Sequence, residues 1–273
     1  MIIGITGRIG SGKDTVGKII QYLTANYSIE EIVSIFDNKE VITDYKLLPF
    51  SDETSWQIKK FAKKLKQIVS LLTGIPEEDL EKQEVKDRLL TEEWWQPSYK
   101  QSYPVPFKPT VRELLQRIGT DAMRNIIHPN IWVNALFSEY KPNHPILNGG
   151  KYLYTGFNCI CCNKETKVDS FICDDCLKYA NRPNWIITDV RFPNEADAIL
   201  ERDGILIRLE RDLHYTISDY KVHEQRLKGF YPEHYSETAL DSYSKFTETI
   251  TNNGSIEELT QKVKTVLQKH KLI

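Results

Sequence analysis

Glycine and lysine residues near the start of the chain have the spacing of a loop that binds phosphate groups. A short apolar segment, residues 1–6, runs directly into the sequence GRIGSGKDT of residues 7–15. Gly7, Gly12 and Lys13 have a spacing in which backbone N–H groups and the following helix N-terminus surround an anion. Glycine permits the backbone angles that such a loop needs, and Lys13 adds a positive charge. These residues predict a site for the phosphates of a nucleotide.

One position departs from the usual pattern of such loops. The residue after the lysine is commonly Ser or Thr, whose hydroxyl binds Mg²⁺, but here it is Asp14, and Thr15 comes one place later. A carboxylate at this position can act on the metal through water, or it can cap the helix instead. The sequence leaves open whether Asp14 or Thr15 contacts Mg²⁺.

The cysteines are concentrated in one segment. All five lie between residues 159 and 176, and four of them form two pairs of the C-x-x-C type. In a chain without an apparent export signal, such pairs predict a structural tetrahedral zinc site and not disulfides. Cys161 is then left over, although it could replace Cys162 as a ligand. We expect a small zinc ribbon inserted at about residues 148–182. Its predicted Zn²⁺ ligands are Cys159, Cys162, Cys173 and Cys176.

The composition limits the kinds of function that the chain can have. Its 273 residues are 40% hydrophobic and 27% charged, which is ordinary for a soluble globular protein. The formal net charge of −2 gives no global basic field for nucleic acid. No apolar run approaches the roughly 18 residues of a membrane span, and the first residues lack the features of a signal peptide. We therefore expect a cytoplasmic protein with no membrane partner, and we do not expect it to bind nucleic acid.

Hydrophobic periodicity predicts that helices and strands alternate along the chain, which indicates the α/β class. Thr110 and Glu113 have the spacing of a capping box and should begin one of the helices. The predicted strands are residues 1–6, 185–188 and 204–209. The predicted helices are residues 14–27, 53–72, 77–94, 110–125, 130–139, 193–202 and 257–271.

Two further candidates for chemistry follow the strand predicted at residues 185–188. This apolar run is typical of a buried parallel strand, and Asp189 stands at its carboxyl end. Ligands of open α/β sheets bind at that edge, so Asp189 should lie beside the glycine-rich loop, where it can hold Mg²⁺ directly or through water. Arg191 follows two residues later, and its guanidinium is suited to bidentate contact with phosphate.

Several segments together resemble the deoxynucleoside-monophosphate kinases of bacteriophages. The glycine-rich loop alone is generic, but the sequence DVRFPNE at residues 189–195, in combination with LLQRIGTD at residues 114–121, is much more specific. The resemblance covers the chain except for the cysteine-rich insert and residues 28–51. The segments that carry it are residues 7–15, 61–66, 112–124, 188–196 and 234–241.

The resemblance implies a P-loop kinase fold with three α/β/α layers around a central parallel sheet. The kinase domain would comprise residues 1–147 and 183–273, with a lid at about residues 211–236. The implied reaction transfers a phosphoryl group from ATP to a deoxynucleoside 5′-monophosphate and gives the diphosphate for viral DNA precursor synthesis, in the host cytoplasm if the chain is viral. Kinases of this type are commonly dimers, so a homodimer is one candidate assembly.

The resemblance also implies roles for individual residues, in a reaction that depends mostly on positioning and charge neutralisation. ATP, together with Mg²⁺, would be bound by Gly10, Ser11, Gly12, Lys13, Asp14 and Thr15. The acceptor nucleotide would be bound by Lys66, Arg112, Gln116, Asp121, Arg124 and Arg191. The residues that would act in catalysis are Lys13, Asp189, Arg191 and Arg211, which stands at the start of the lid.

Two other classes of function remain as alternatives. A phosphate-loop nucleotide hydrolase that drives a conformational switch would turn over ATP or GTP without any acceptor. A nucleic-acid-binding protein built around the zinc ribbon would use the nucleotide site for regulation, although acidic residues offset the lysines of that ribbon. For the kinase, guanine, thymine and modified pyrimidines are all candidate acceptor bases, and GTP and dATP are alternatives to ATP as donor.

Overall fold

A five-stranded parallel sheet forms the centre of the protein. The computed structural model describes residues 1–37, 56–95, 107–141, 182–212 and 235–273. The four predicted zinc ligands, and most of the predicted lid, lie outside these residues. The strands are β1 (Ile2–Thr6), β2 (Gln57–Lys59), β3 (Trp185–Val190), β4 (Ile205–Glu210) and β5 (Glu248–Thr251), and they lie in the order β2-β3-β1-β4-β5.

Helices connect these strands. The α-helices are α1 (Lys13–Thr24), α2 (Ile29–Asp37), α3 (Lys63–Thr73), α4 (Gln83–Lys86), α5 (Val111–Gln116), α6 (Ile131–Phe137), α7 (Pro193–Leu200), α8 (Tyr235–Thr238) and α9 (Ile256–Lys269). Two short 3₁₀ turns, Asp79–Glu81 and Glu92–Trp94, flank α4, and a π-helix, Arg117–Ile127, continues α5.

Both faces of the sheet are covered, as expected for parallel strands. Successive side chains of a strand point to opposite faces. Ile3 and Ile5 therefore pack into one core with the apolar side chains of α1, α2 and α9. Ile2 packs into a second core on the other face, with side chains of α6 and α7. The α/β class and the central parallel sheet are confirmed, and the arrangement is compatible with three layers. The narrower P-loop kinase fold stays a prediction.

Two helix predictions are wrong. Residues 53–72 were predicted to form one helix, but β2 pairs with β3 there, with Ile58 opposite Ile186, and α3 begins only at Lys63. Pairing with a distant strand overrides the local helical period, which a single sequence cannot reveal. Residues 77–94 form short turns and α4 instead of one helix. This segment has few apolar residues to bury, and it turns so that Leu80 and Leu90 reach the same small core.

Besides β2, the strand β5 was not predicted from the sequence. β5 has a single buried residue, Ile250, between exposed or half-buried neighbours. Such a segment has too little alternation of apolar and polar residues to be recognised as a strand. Its position beside β4 matters for the site, because its carboxyl end contacts the glycine-rich loop.

Candidate functional site

The candidate site lies at the carboxyl end of the sheet. The chain leaves β1 towards β2 on one side of the sheet and leaves β4 towards β5 on the other side. Such a reversal opens a crevice beyond the ends of neighbouring strands. The crevice contains a cavity of about 290 Å³, which we call the central cavity. Side chains from β3, α3, α4, α5 and the π-helix line it, together with the loop of residues 7–12, which we call the glycine loop.

Glycine is required at two positions of the glycine loop because neighbouring groups lie very close. Gly7 and Gly12 have positive φ angles of 152° and 96°. A Cβ atom on Gly7 would lie 2.4 Å from the carbonyl oxygen of Leu209 in β4. A Cβ atom on Gly12 would lie 2.7 Å from the side-chain amide nitrogen of Asn252. The loop is therefore packed against the ends of β4 and β5, and larger residues would displace it.

Asn252 fixes the glycine loop, and sequence reasoning missed it. Its side-chain amide donates a 2.8 Å hydrogen bond to the carbonyl oxygen of Ser11. Its backbone N–H donates to the carbonyl oxygen of Glu210, and the residue is 8% exposed. The sequence Asn252-Asn253-Gly254 indicates only a turn. The hydroxyl of Ser11 is buried, and it has no hydrogen-bond partner among the described residues.

Lys13 lies across the glycine loop. Its Nζ donates to the carbonyl oxygens of Gly7 and Arg8, at 2.6 and 2.8 Å. Burial, followed by repulsion from the Arg191 guanidinium, lowers the pKa of Lys13 from 10.5 to about 8. No side chain caps the N-terminus of α1, which begins at Lys13. The positive end of the helix dipole and the Lys13 ammonium therefore stand at the same point of the cavity wall.

Asp14 contacts β3 and does not cap α1. The hydroxyl of Thr188 donates a 2.6 Å hydrogen bond to Asp14 Oδ1, and Lys60 Nζ lies 3.3 Å from the same oxygen. The Asp14 side chain is exposed, and the partial desolvation that opposes its ionisation is outweighed by Thr188 and Lys60, which hold the pKa of this carboxyl below its usual value. Gly17 permits this arrangement, since a Cβ atom there would lie 2.6 Å from Thr188 Cγ2.

Asp189 links the end of β3 to the start of α3. Its two carboxylate oxygens accept hydrogen bonds from the backbone N–H groups of Phe61 and Ala62, at 2.8 and 2.9 Å. Asp14 and Asp189 both line the central cavity. Two carboxylates suit Mg²⁺, which keeps several waters and is commonly held by one or two carboxylates and by substrate phosphates. Within the described part of the chain, no group of three or more metal-binding side chains occurs.

Glu81 organises three lysines on the opposite wall of the cavity. Its carboxylate lies 2.5 Å from Lys66 Nζ and 3.7 Å from Lys60 Nζ. Its backbone carbonyl accepts a 3.1 Å hydrogen bond from Lys86 Nζ. Lys66 and Glu81 are 15 residues apart in the sequence, and the turn at Asp79–Glu81 places the carboxylate beside α3.

Lys86 is a second residue that sequence reasoning missed. Burial lowers the pKa of Lys86, and the nearby charges of Lys66, Arg112 and Arg191 lower it further. It forms no ion pair with any carboxylate that the structure describes. The sequence predicted only a charged helix at residues 77–94, and it assigned no role to Lys86. In the structure, Lys86 lines the central cavity together with Lys66 and Arg112.

Arg191 is a cation of the central cavity that lies near both Lys13 and Lys86. Its guanidinium pairs with Glu237 of α8. Its charge lowers the pKa of Lys13 on one side and that of Lys86 on the other. Lys13, on the side of the glycine loop, and Lys86, on the opposite wall, line the same cavity as Arg191.

The helix that begins at α5 supplies another wall. The predicted capping box is confirmed, because Thr110 and Glu113 exchange side-chain to backbone hydrogen bonds. From Arg117 the winding changes to a π-helix, in which each hydrogen bond spans five residues instead of four. This winding keeps Gln116 and Arg124 at the same cavity. π-helical segments occur frequently at functional sites.

The remaining predicted residues occupy several environments. Arg112 lines the central cavity and pairs with Asp87 at 2.8 Å. Asp121 is exposed and does not line the cavity. Arg211 is exposed and lies 3.3 Å from the carbonyl oxygen of Gly10, beside a second cavity of about 170 Å³ on the other side of the glycine loop. Ser11 also lines this second cavity, whereas Thr15 lines neither.

Comparisons with known proteins do not identify the chain. No protein-family model matches it, and no curated protein matches it significantly. None of the described helices combines the length and the apolar composition needed to cross a membrane.

Proposed function

We propose that the protein transfers the γ-phosphoryl group of ATP to a deoxynucleoside 5′-monophosphate. The observation that carries the proposal is the position of Arg191. It lines the central cavity together with Lys13, on the side of the glycine loop, and Lys86, on the opposite wall. A phosphoryl group in transfer between two nucleotides has to be neutralised at such a midpoint.

The glycine loop suits the triphosphate of the donor. Lys13 and the uncapped N-terminus of α1 supply positive charge at one place, which favours an anion. The lowered pKa of Lys13 means that its positive charge is disfavoured while no anion is bound. A bound phosphate would offset this unfavourable burial of charge. The free energy recovered in this way favours binding of the donor.

The opposite wall suits the phosphate of the acceptor. Seven basic and five acidic side chains line the central cavity, so its described lining has a positive balance. The basic residues of this wall are Lys60, Lys66, Lys86, Arg112 and Arg124. A phosphate monoester is already ionised at neutral pH, so no general base is required, and charge neutralisation can supply most of the catalysis.

Asp14 and Asp189 would hold a Mg²⁺ ion that arrives with ATP. The metal would supply neutralisation between the β- and γ-phosphate oxygens. The contact between Thr188 and Asp14 keeps that carboxylate oriented towards the cavity, and the two backbone N–H groups bound by Asp189 keep the second carboxylate in place. This chain thereby replaces the usual hydroxyl after the lysine with a carboxylate that β3 positions.

A coupled assay tests the proposal directly. Each deoxynucleoside and ribonucleoside monophosphate is incubated with ATP, Mg²⁺ and the full chain, and diphosphate formation is measured. We expect little ATP turnover until a deoxynucleoside monophosphate is added. Turnover that ignores every acceptor would favour a nucleotide hydrolase, and absence of any diphosphate would reject the kinase.

A matched pair of variants tests the central role of Arg191. Arg191→Met should lower kcat by about 10³-fold, the lower range found for arginines that neutralise a transferring phosphoryl group. Arg117→Met removes the same charge from an exposed position at the start of the π-helix, which does not line the cavity. Equal effects of the two substitutions would contradict the assignment.

A further inference from the structure

Glu195 is a fully buried carboxylate that contacts two of the candidate site residues. It lies in the first turn of α7 and is 1% exposed. Its Oε1 pairs with the guanidinium of Arg124. Its Oε2 accepts hydrogen bonds from the backbone N–H groups of Arg191 and Phe192, at 2.7 and 3.2 Å. A single side chain thus connects the π-helix to the segment that follows β3.

Capping of a helix does not by itself explain this burial. Glu113 has the equivalent position in α5, where its carboxylate accepts from the backbone N–H of Thr110 at 2.7 Å. Glu113 is only half-buried and binds no cation of the cavity. A buried carboxylate is costly unless it is paired, so the distinguishing property of Glu195 is its ion pair with Arg124.

Arg124 retains one unused donor group. The residue is 9% exposed, and its guanidinium lies 3.8 Å above the ring of Phe192. Nη2 pairs with Glu195, whereas Nη1 is buried and has no hydrogen-bond partner among the described groups. A guanidinium cannot lose its proton at ordinary pH, and its nitrogens only donate. Arg124 lines the central cavity, so a small movement of its side chain would bring the buried Nη1 within reach of an acceptor oxygen of a molecule bound there.

We infer that Glu195 is a positioning residue, which holds Arg124 so that Nη1 can donate to an oxygen of the acceptor nucleotide. This inference rests on the proposed function. The stacking on Phe192 and the ion pair with Glu195 restrict the guanidinium from two directions, so little order has to be gained when the nucleotide binds. Because Oε2 also holds the backbone of Arg191, Glu195 sets the relative position of two cationic residues on different elements.

Kinetics of two matched variants test the inference. Glu195→Gln keeps the shape and one oxygen for the backbone N–H groups, but its amide NH₂ cannot accept from Arg124. We expect the KM for the acceptor to rise about 10-fold or more, the change for a lost hydrogen bond to a charged group, while the KM for ATP stays unchanged. Glu113→Gln should leave both KM values unchanged. Equal KM values for the two variants would overturn the inference.

A double-substitution cycle separates positioning from a general structural effect. If Glu195 acts through Arg124, Glu195→Gln should add nothing to the rise in acceptor KM that Arg124→Met already causes. Independent, additive effects would overturn the inference. If Glu195→Gln does not fold, Arg124→Lys keeps a cation beside Glu195 but lacks the second nitrogen. It should raise the acceptor KM similarly, and an unchanged KM would overturn the inference.

Binding measurements keep the inference separate from the proposed reaction. Calorimetry with the full chain uses two probes, inorganic phosphate and the unphosphorylated deoxynucleoside. Weaker binding of phosphate to Glu195→Gln would assign Nη1 to a phosphate oxygen, and weaker binding of the deoxynucleoside alone would assign it to an oxygen of the base or sugar. Unchanged binding of both probes would overturn the inference, even if the wild-type protein forms diphosphate. Absence of diphosphate with intact wild-type binding would reject only the proposed reaction.

Discussion

Replacement of Lys13 by Met should stabilise the free protein at neutral pH while it abolishes phosphoryl transfer. The ammonium of Lys13 is largely buried beside Arg191, and its pKa in the folded protein is lowered from 10.5 to about 8. At pH 7 the folded state must therefore keep a charge that its surroundings disfavour. Methionine fills a similar volume without that charge.

The magnitude follows from the shift in the pKa. Each unit corresponds to about 1.4 kcal/mol, so the charged Lys13 destabilises the folded state by about 3 kcal/mol at pH 7. Loss of the two hydrogen bonds to Gly7 and Arg8 offsets about 1 kcal/mol each. The net gain in the free energy of unfolding for Lys13→Met should be about 1 kcal/mol at pH 7.

The pH dependence has a definite sign. Between pH 8 and 10.5 the unfolded chain still holds the proton on Lys13 and the folded protein has released it, so wild-type stability rises with pH relative to the variant. The advantage of Lys13→Met should shrink by about 2 kcal/mol between pH 7 and 10 and change sign.

Urea unfolding of both proteins at several pH values measures this difference. Other titrating groups are shared by the two proteins and cancel in the comparison. Lys18→Met, which removes a charge from the same helix at a position outside the cavity, gives the baseline. A stability difference between Lys13→Met and wild type that does not change over this pH range would refute the reasoning.

Three further perturbations test other parts of the site. Asn252→Ala leaves the carbonyl of Ser11 unpaired. It should lower the free energy of unfolding by about 1–3 kcal/mol and weaken ATP binding in calorimetry. The control Asn253→Ala breaks an exposed pair with Asp212 and should lower the free energy of unfolding less; a larger loss for Asn253→Ala would contradict the role of Asn252 in fixing the glycine loop. Asp14→Asn should reduce kcat, and a higher Mg²⁺ concentration should restore part of it. A near-normal kcat of the variant that does not change with the Mg²⁺ concentration would exclude a metal role for Asp14. If the cysteine-rich insert holds a structural zinc ion, a chelator should clearly lower the melting temperature and change kcat little. Loss of turnover in a protein whose melting temperature is unchanged would contradict this.

Local sequence patterns were sufficient for the features that depend on neighbouring residues. The glycine spacing at residues 7–12 identified the loop, because backbone angles and close approach restrict those positions to glycine. The capping box of Thr110 and Glu113 was predicted correctly because its hydrogen bonds join residues that are only three apart in the sequence. The strand at residues 185–190 was recognised because residues 185–187 are apolar and buried, as is typical of a strand covered on both faces.

Tertiary structure alone decided which distant side chains complete the site. β2 took residues that have a helical period because β3 offered a partner, and Asn252 reached the glycine loop because β5 lies beside β4. The sequence does not reveal the charge partners of Lys86 and Glu195, and only the folded chain makes them a cavity cation and a buried counter-ion. Turns and helix caps depend on a few neighbouring residues and can be recognised in a sequence, whereas strand pairing and charge interactions depend on elements that the chain brings together from far apart.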